Sequence, residues 1–168
     1  MDRIENSKES IFRIIGVVSM NLTRDMKDLI SIFNKHDVEY MLVGGFAVIC
    51  YGYIRTTQDI DFLVFPSVKN STKVMNALAE FGFGNAGIPI EYFQREGTAI
   101  HIGVEPNRID FLTCLQGVTN DILFQNMTQI ELQDKSCNVI SKDDLIKCKK
   151  AAGRAKDLAD VEELEKIK

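Results

Sequence analysis

The chain has 168 residues, of which 45% are hydrophobic and 26% charged, and a formal net charge of −4. Those values suit one globular domain, or a core with a modest helical appendage, and argue against long disordered tracts. The acidic balance also argues against a duplex-binding module: the longest basic cluster, Lys147, Lys149, Lys150, Arg154 and Lys156, runs straight into acidic residues from Asp157 onward.

Residues 1–20 are expected to form an N-terminal extension or short helix, ahead of a single domain over 21–168. Residues 11–20 are apolar, but Arg13 interrupts them, Glu5 and Glu9 precede them and no small-residue cleavage site follows, so neither a signal peptide nor a membrane span is expected. Over 22–33, Leu22, Met26, Leu29, Ile30 and Phe33 recur at helical spacing. Residues 39–43 read as a strand ending at Gly44-Gly45, and 46–53 as a short helix. Residues 58–65 alternate as a strand, with Ile60, Phe62 and Val64 on one side and Asp59, Asp61 and Leu63 on the other.

Pro66-Ser67 turns and caps a helix over 68–81, and 82–87 is a glycine-rich loop. Residues 99–103 and 107–113 read as a hairpin, 117–126 as a region holding a short helix, and 130–132 and 137–140 as weak strands. Ser141 with Asp144 resembles a capping box for a helix towards Ala152. The final stretch continues helically, with Leu158, Val161, Leu164 and Ile167 on a shared face. This order implies an α+β (α/β-like) sheet flanked by helices. Cys50, Cys114, Cys137 and Cys148 lack C-x-x-C spacing and suit reduced thiols in a cytoplasmic protein. The N-x-[ST] triplets at Asn21, Asn70 and Asn126 are chance matches without a secretory signal.

The chemistry concentrates in two places. Asp59 and Asp61, two apart on a strand, project from the same face and repel unless a cation, a proton or a basic side chain intervenes. With no histidine or cysteine nearby, such hard oxygen ligands suit Mg²⁺ or Mn²⁺. Asp110 repeats the arrangement within Arg108-Ile109-Asp110-Phe111-Leu112. If the two strands are neighbours, three carboxylates converge, enough to hold two divalent ions. The alternative is a solvated strand face. Gly44-Gly45, at a strand–helix junction, permits close approach of an anion to the helix start, or is simply a tight turn.

Arg55 and Thr57 lie in the turn before the acidic strand, as phosphate donors or as turn-stabilising residues. Lys149 and Arg154 could meet nucleotide phosphates if the tail is a continuous helix placing Lys149, Gly153, Lys156, Asp157 and Asp160 on one broad face; a salt-bridged, solvated helix face is the other account. His36 reads as a helix-end residue, His101 as a surface or satisfied histidine, and Phe62, Phe65, Phe81, Phe83 and Phe111 as core.

Taken together, Gly44-Gly45-Phe46-Ala47, Tyr51-Gly52, Arg55, Thr57 and Asp59-Ile60-Asp61 resemble the signature of the nucleotidyltransferase superfamily that includes DNA polymerase beta. The nearest likeness is to the minimal bacterial group related to AbiEii-type toxins and small antibiotic nucleotidyltransferases. Lys149-Lys150-Ala151-Ala152-Gly153-Arg154-Ala155-Lys156-Asp157-Leu158-Ala159-Asp160 resembles that group's K-x-x-A-x-R-x-K-D-x-x-D ending. The resemblance implies a nucleotidyltransferase fold, a mixed sheet with C-terminal helices. It implies that Asp59, Asp61 and Asp110 are catalytic and hold Mg²⁺, with Asp110 assisting deprotonation of the attacking hydroxyl. Gly44 and Gly45 would position the triphosphate, with Arg55, Thr57, Lys149 and Arg154 as further nucleotide-binding residues. The expected reaction is transfer of a nucleoside monophosphate from a nucleoside triphosphate such as ATP to a small molecule, a protein or an RNA, by a homodimer or with a partner chain. Two rivals stand beside it: a non-catalytic nucleotide-binding or regulatory module, as in a toxin–antitoxin pair, and a structural protein with an incidental acidic cluster.

Overall fold

Three of the helices begin where a hydroxyl accepts an otherwise unpaired N–H. Thr23 accepts the Met26 N–H at 3.3 Å and opens α1 (Arg24–Lys35). Then follow β1 (Tyr40–Val43), α2 (Gly44–Cys50), β2 (Ile60–Val64) and α3 (Val68–Leu78), the last capped by Ser67 through the Asn70 N–H at 3.0 Å. A π turn (Ala79–Phe83) and a 3-10 turn (Ile90–Phe93) lead to β3 (Ala99–Ile102) and β4 (Ile109–Leu112). The chain continues through α4 (Asn120–Asn126), β5 (Thr128–Leu132) and β6 (Lys135–Val139). Ser141 caps α5 (Lys142–Ala152) through the Asp144 N–H, and α6 (Ala155–Lys166) closes the chain. The computed structural model describes residues 23–105, 107–132 and 134–167; the extension expected over 1–20, and Leu22, lie outside them.

The strands form one mixed sheet in the order β3-β4-β2-β1-β6-β5. β1 runs antiparallel to β2, whereas β2 and β4 are parallel, as are β1 and β6. The expected hairpin over 99–113 is the β3–β4 pair, and the two weak strands near the C-terminus pair as β5–β6. The sheet is covered on both sides. Phe33 of α1 meets Phe62 edge-on at 5.4 Å, and Phe62 stacks on Phe111 at 5.8 Å. Leu63, on the opposite face with Asp61, is fully buried as well. Such two-sided burial supplies the main hydrophobic stabilisation of the domain. Asn70, fully buried, ties β1 to the start of α3: its Oδ1 accepts the Glu39 N–H and its Nδ2 donates to the Glu39 and Phe65 carbonyls. That side chain is structural and out of reach of any glycan machinery.

Three local expectations need correction. α2 begins at Gly44 itself, so the double glycine is its first turn rather than a turn before it. β2 begins at Ile60, leaving Asp59 just ahead of the strand. The tail is not one continuous helix. Gly153 adopts a left-handed conformation (φ +65), its N–H bonded to the Lys149 carbonyl, and Arg154 is extended, so α5 stops and α6 starts afresh. The break resets the helical phase. Within α6, Leu158, expected to share a face with Val161 and Leu164, is 45% exposed, while Asp157, Asp160, Val161 and Leu164 are buried.

Candidate active site

The antiparallel register places Val43, the last residue of β1, opposite Asp61. Gly44 then turns the chain with φ +63, a conformation that a side chain disfavours. Space matters more. A Cβ on Gly44 would lie 2.1 Å from Asp61 Oδ2, and one on Gly45 would lie 2.5 Å from Thr57 Oγ1. The pair is glycine because the Asp61 carboxylate and the Thr57 hydroxyl lie against its backbone. Gly44→Ala is therefore expected to destabilise the protein by roughly 2 kcal/mol. Gly87 has a similar φ (+69) in open space, so Gly87→Ala reports the backbone cost alone. Equal losses in parallel denaturant titrations would remove the steric argument.

The parallel pairing of β2 with β4 sets Asp61 opposite Asp110, and the Ile60 N–H donates to the Arg108 carbonyl at 3.1 Å. Because side chains two apart share a face, residues 59, 61, 108 and 110 form a patch of three carboxylates and one guanidinium. Arg108 bridges the two strands. Its Nε and Nη2 donate to Asp110 Oδ1 and Oδ2 at 2.8 and 3.0 Å, and Nη2 also reaches Asp59 Oδ2 at 2.9 Å. His101, opposite Asp110 on β3 and 58% exposed, brings Nδ1 to 2.8 Å from Asp110 Oδ1. His101, expected as a surface or satisfied histidine, is exposed and lies at hydrogen-bond distance from this carboxylate, whereas Arg108 was not among the expected site residues. For Arg108 a signal was present: it sits two before Asp110, hence on the same strand face.

Asp61 has no ion-pair partner among the described residues. Burial first, then repulsion from Asp110 and Asp59, pushes its carboxyl up to about 6, against which the Gly45 N–H and the more distant Lys149 ammonium act. The cluster thus holds one carboxylate short of positive charge.

The expected cationic residues take different places. Arg55, from the turn before β2, reaches Asp160 of α6: Nη2 donates to Oδ2 at 2.9 Å, and Nε lies 2.7 Å from Oδ1 without the alignment of a hydrogen bond. Lys149, 8% exposed, sits 2.8 Å from Asp160 and 3.0 Å from Asp157. Arg154 pairs with Asp157 at 2.5 Å from an otherwise exposed position. Burial works to raise the Asp157 carboxyl, but the hydrogen bonds from Arg154 and Lys149 outweigh it and hold it below the ordinary range. Thr57 turns its hydroxyl to the Asp59 carbonyl at 3.4 Å. Lys156, exposed and with no carboxylate at ion-pair distance among the described residues, also faces the cleft.

All of these site side chains except Asp160 and His101 line one cleft of about 570 Å³, whose lining also includes Leu112, Leu115, Leu145 and Ala152. No protein-family model and no curated protein sequence matches the chain. Among solved structures it is similar to the lincomycin-bound lincosamide antibiotic adenylyltransferase LnuA, at 17% identity with a TM-score of 0.55, over 88% of this chain and 99% of that one. It is also similar to an antigenic nucleotidyltransferase-like protein from Paracoccidioides brasiliensis, at 11% identity and a TM-score of 0.52, over 90% of this chain and 74% of the other. The chain has the nucleotidyltransferase fold.

Whether the acidic end of this nucleotidyltransferase-fold cleft suits a divalent cation can be judged from its own atoms. The donors are carboxylate oxygens, the type that Mg²⁺ and Mn²⁺ take. Asp59 Oδ1 is buried with no hydrogen-bond partner, an acceptor that a cation would satisfy. The residues fit in kind. As they stand, however, no three acidic, histidine or cysteine side chains among the described residues converge as a ready coordination cluster. The positive charge between Asp59 and Asp110 is Arg108.

Proposed function

We propose that the protein transfers a nucleoside monophosphate from a nucleoside triphosphate to an acceptor hydroxyl or amine, with release of pyrophosphate. One observation carries this reading: the double glycine, with no room for side chains, abuts Asp61 at the same end of a nucleotide-sized cleft to which β2 and β4 bring Asp59 and Asp110. Asp59, Asp61 and Asp110 would hold Mg²⁺ or Mn²⁺; when bound there, the cation supplies charge neutralisation at the α-phosphate. Gly44 and Gly45 let the polyphosphate approach the backbone at the start of α2. Arg154 and Lys156 are the cleft cations open to phosphate. Arg55 and Lys149 support binding indirectly, by holding α6 to the cleft through Asp160. Thr57 shapes the turn beside Gly45.

The acceptor is a small molecule, a protein side chain or an RNA end. No helix among the described residues is long and apolar enough to cross a membrane, and the four cysteines are free thiols; we place the protein in the cytoplasm. The insertion of Arg108 between two carboxylates favours one second reading, a module that binds nucleotide without transferring it, as in a toxin–antitoxin pair.

Affinity for each of ATP, CTP, GTP and UTP, with and without Mg²⁺, tests the assignment. Binding of at least one is expected to strengthen by about tenfold or more with Mg²⁺. The α-labelled form of that nucleotide, incubated with a cell extract, is expected to label one class of acceptor. Metal-dependent binding without labelling selects the second reading, and metal-indifferent binding, or none, defeats the first.

A further inference from the structure

Arg108 is placed by backbone geometry. It lies just ahead of β4, its carbonyl is held by the Ile60 N–H, and its side chain, two residues before Asp110, reaches across to Asp59. The guanidinium contacts Asp59 Oδ2 and both oxygens of Asp110, which leaves Asp59 Oδ1 and the Asp61 carboxylate as the cluster oxygens it does not touch. A divalent cation entering the cluster would sit beside the guanidinium, and two positive charges that close repel. The side chain is 32% exposed, and its Nη1 lies 3.3 Å from Glu105 Oε1, a carboxylate that is 61% exposed on the solvent side. It can therefore leave the cluster without opening the core. An outgoing guanidinium loses a two-point carboxylate pair; a polyphosphate in the same cleft offers an equivalent two-point partner.

We propose that Arg108 is the resident cation of the carboxylate cluster, which leaves Asp59 and Asp110 for the nucleotide polyphosphate as a divalent metal enters. Arg108 is then a positioning residue. It keeps the cluster closed to metal alone and couples metal loading to nucleotide arrival. This inference rests on the nucleotidyltransferase reading of the site.

Its signature is a pair of opposite shifts, because one side chain opposes metal and assists nucleotide. In Arg108→Met, Mn²⁺ alone, followed by electron paramagnetic resonance, is expected to bind about tenfold more tightly than in the wild type. Binding of a non-hydrolysable analogue of the preferred nucleotide at saturating Mg²⁺ is expected to weaken by about tenfold. General structural damage would weaken both. An unchanged Mn²⁺ affinity, or both affinities moving the same way, overturns the proposal while leaving the metal site in place. If neither protein binds Mn²⁺, the carboxylates hold no metal, and the functional reading fails together with this inference. Should Arg108→Met not fold, Arg108→Lys carries the test: smaller shifts, still opposite in sign, are expected, and parallel shifts overturn it.

Discussion

Asp61→Asn is expected to abolish nucleotidyl transfer, by at least about a thousandfold, and at neutral pH to make the metal-free protein more stable. The two effects share one cause. The folded state raises the Asp61 carboxyl to about 6 from an ordinary 3.8, so the folded protein binds that proton more tightly than the unfolded chain does. For this group, stability is fully present below about pH 4 and is lost as pH rises through about 6. Above that, the buried anion costs roughly 3 kcal/mol. Asparagine keeps the shape but carries no charge. In EDTA at pH 7 to 8 the variant should melt several degrees above the wild type. The gap should narrow through pH 6 and close near pH 4. A variant that melts below the wild type at pH 7, or a gap indifferent to pH, would show that Asp61 is not held at electrostatic cost. Surviving transfer activity would remove it from the chemistry.

The largest loss of stability is expected at Asp160, on α6, 1% exposed and contacting two cations from different parts of the chain. Asp160→Ala leaves the Arg55 guanidinium without its carboxylate and Lys149 with Asp157 alone. Breaking one side of a buried ion pair typically costs about 3–5 kcal/mol, because the remaining charge stays out of water. The exposed Lys150–Glu165 pair is as short, at 2.6 Å, with both side chains more than half exposed. Glu165→Ala should therefore cost less than about 1 kcal/mol. Denaturant titrations of the two variants compare burial directly, and similar losses would mean that the inner network carries no special weight. Asp160→Asn, which keeps an acceptor for Arg55, is expected to fall between them.

These expectations divide according to the range of the interactions behind them. Thr23, Ser67 and Ser141 cap helices through N–H groups three residues on, and this is local enough to read from the chain. So is the alternation that sets Asp61 and Leu63 on the strand face opposite Ile60, Phe62 and Val64, and the hairpin of β3 with β4. The break at Gly153 was also open to reading, since glycine after a lysine-ended helix is a common stop; the expectation of one continuous helix gave the repeating apolar residues more weight than the glycine. Leu158 is a separate matter: it stands outside the stripe of Asp157, Asp160, Val161 and Leu164, all within α6.

The remainder depended on partners far apart in sequence. Arg55 and Asp160 are separated by 105 positions, and no local pattern tells a cation facing phosphate from one closing a buried pair. The D-x-D of β2 and the lone Asp110 of β4 could be recognised separately as acidic strand positions beside Gly44-Gly45. Parallel pairing of those strands, with Asp61 opposite Asp110, was needed to bring Arg108 between two of the three carboxylates. Composition and spacing determine which residue types are available to a site. Register decides which charges meet, because a one-residue slip would turn every one of those side chains to the other face of the sheet.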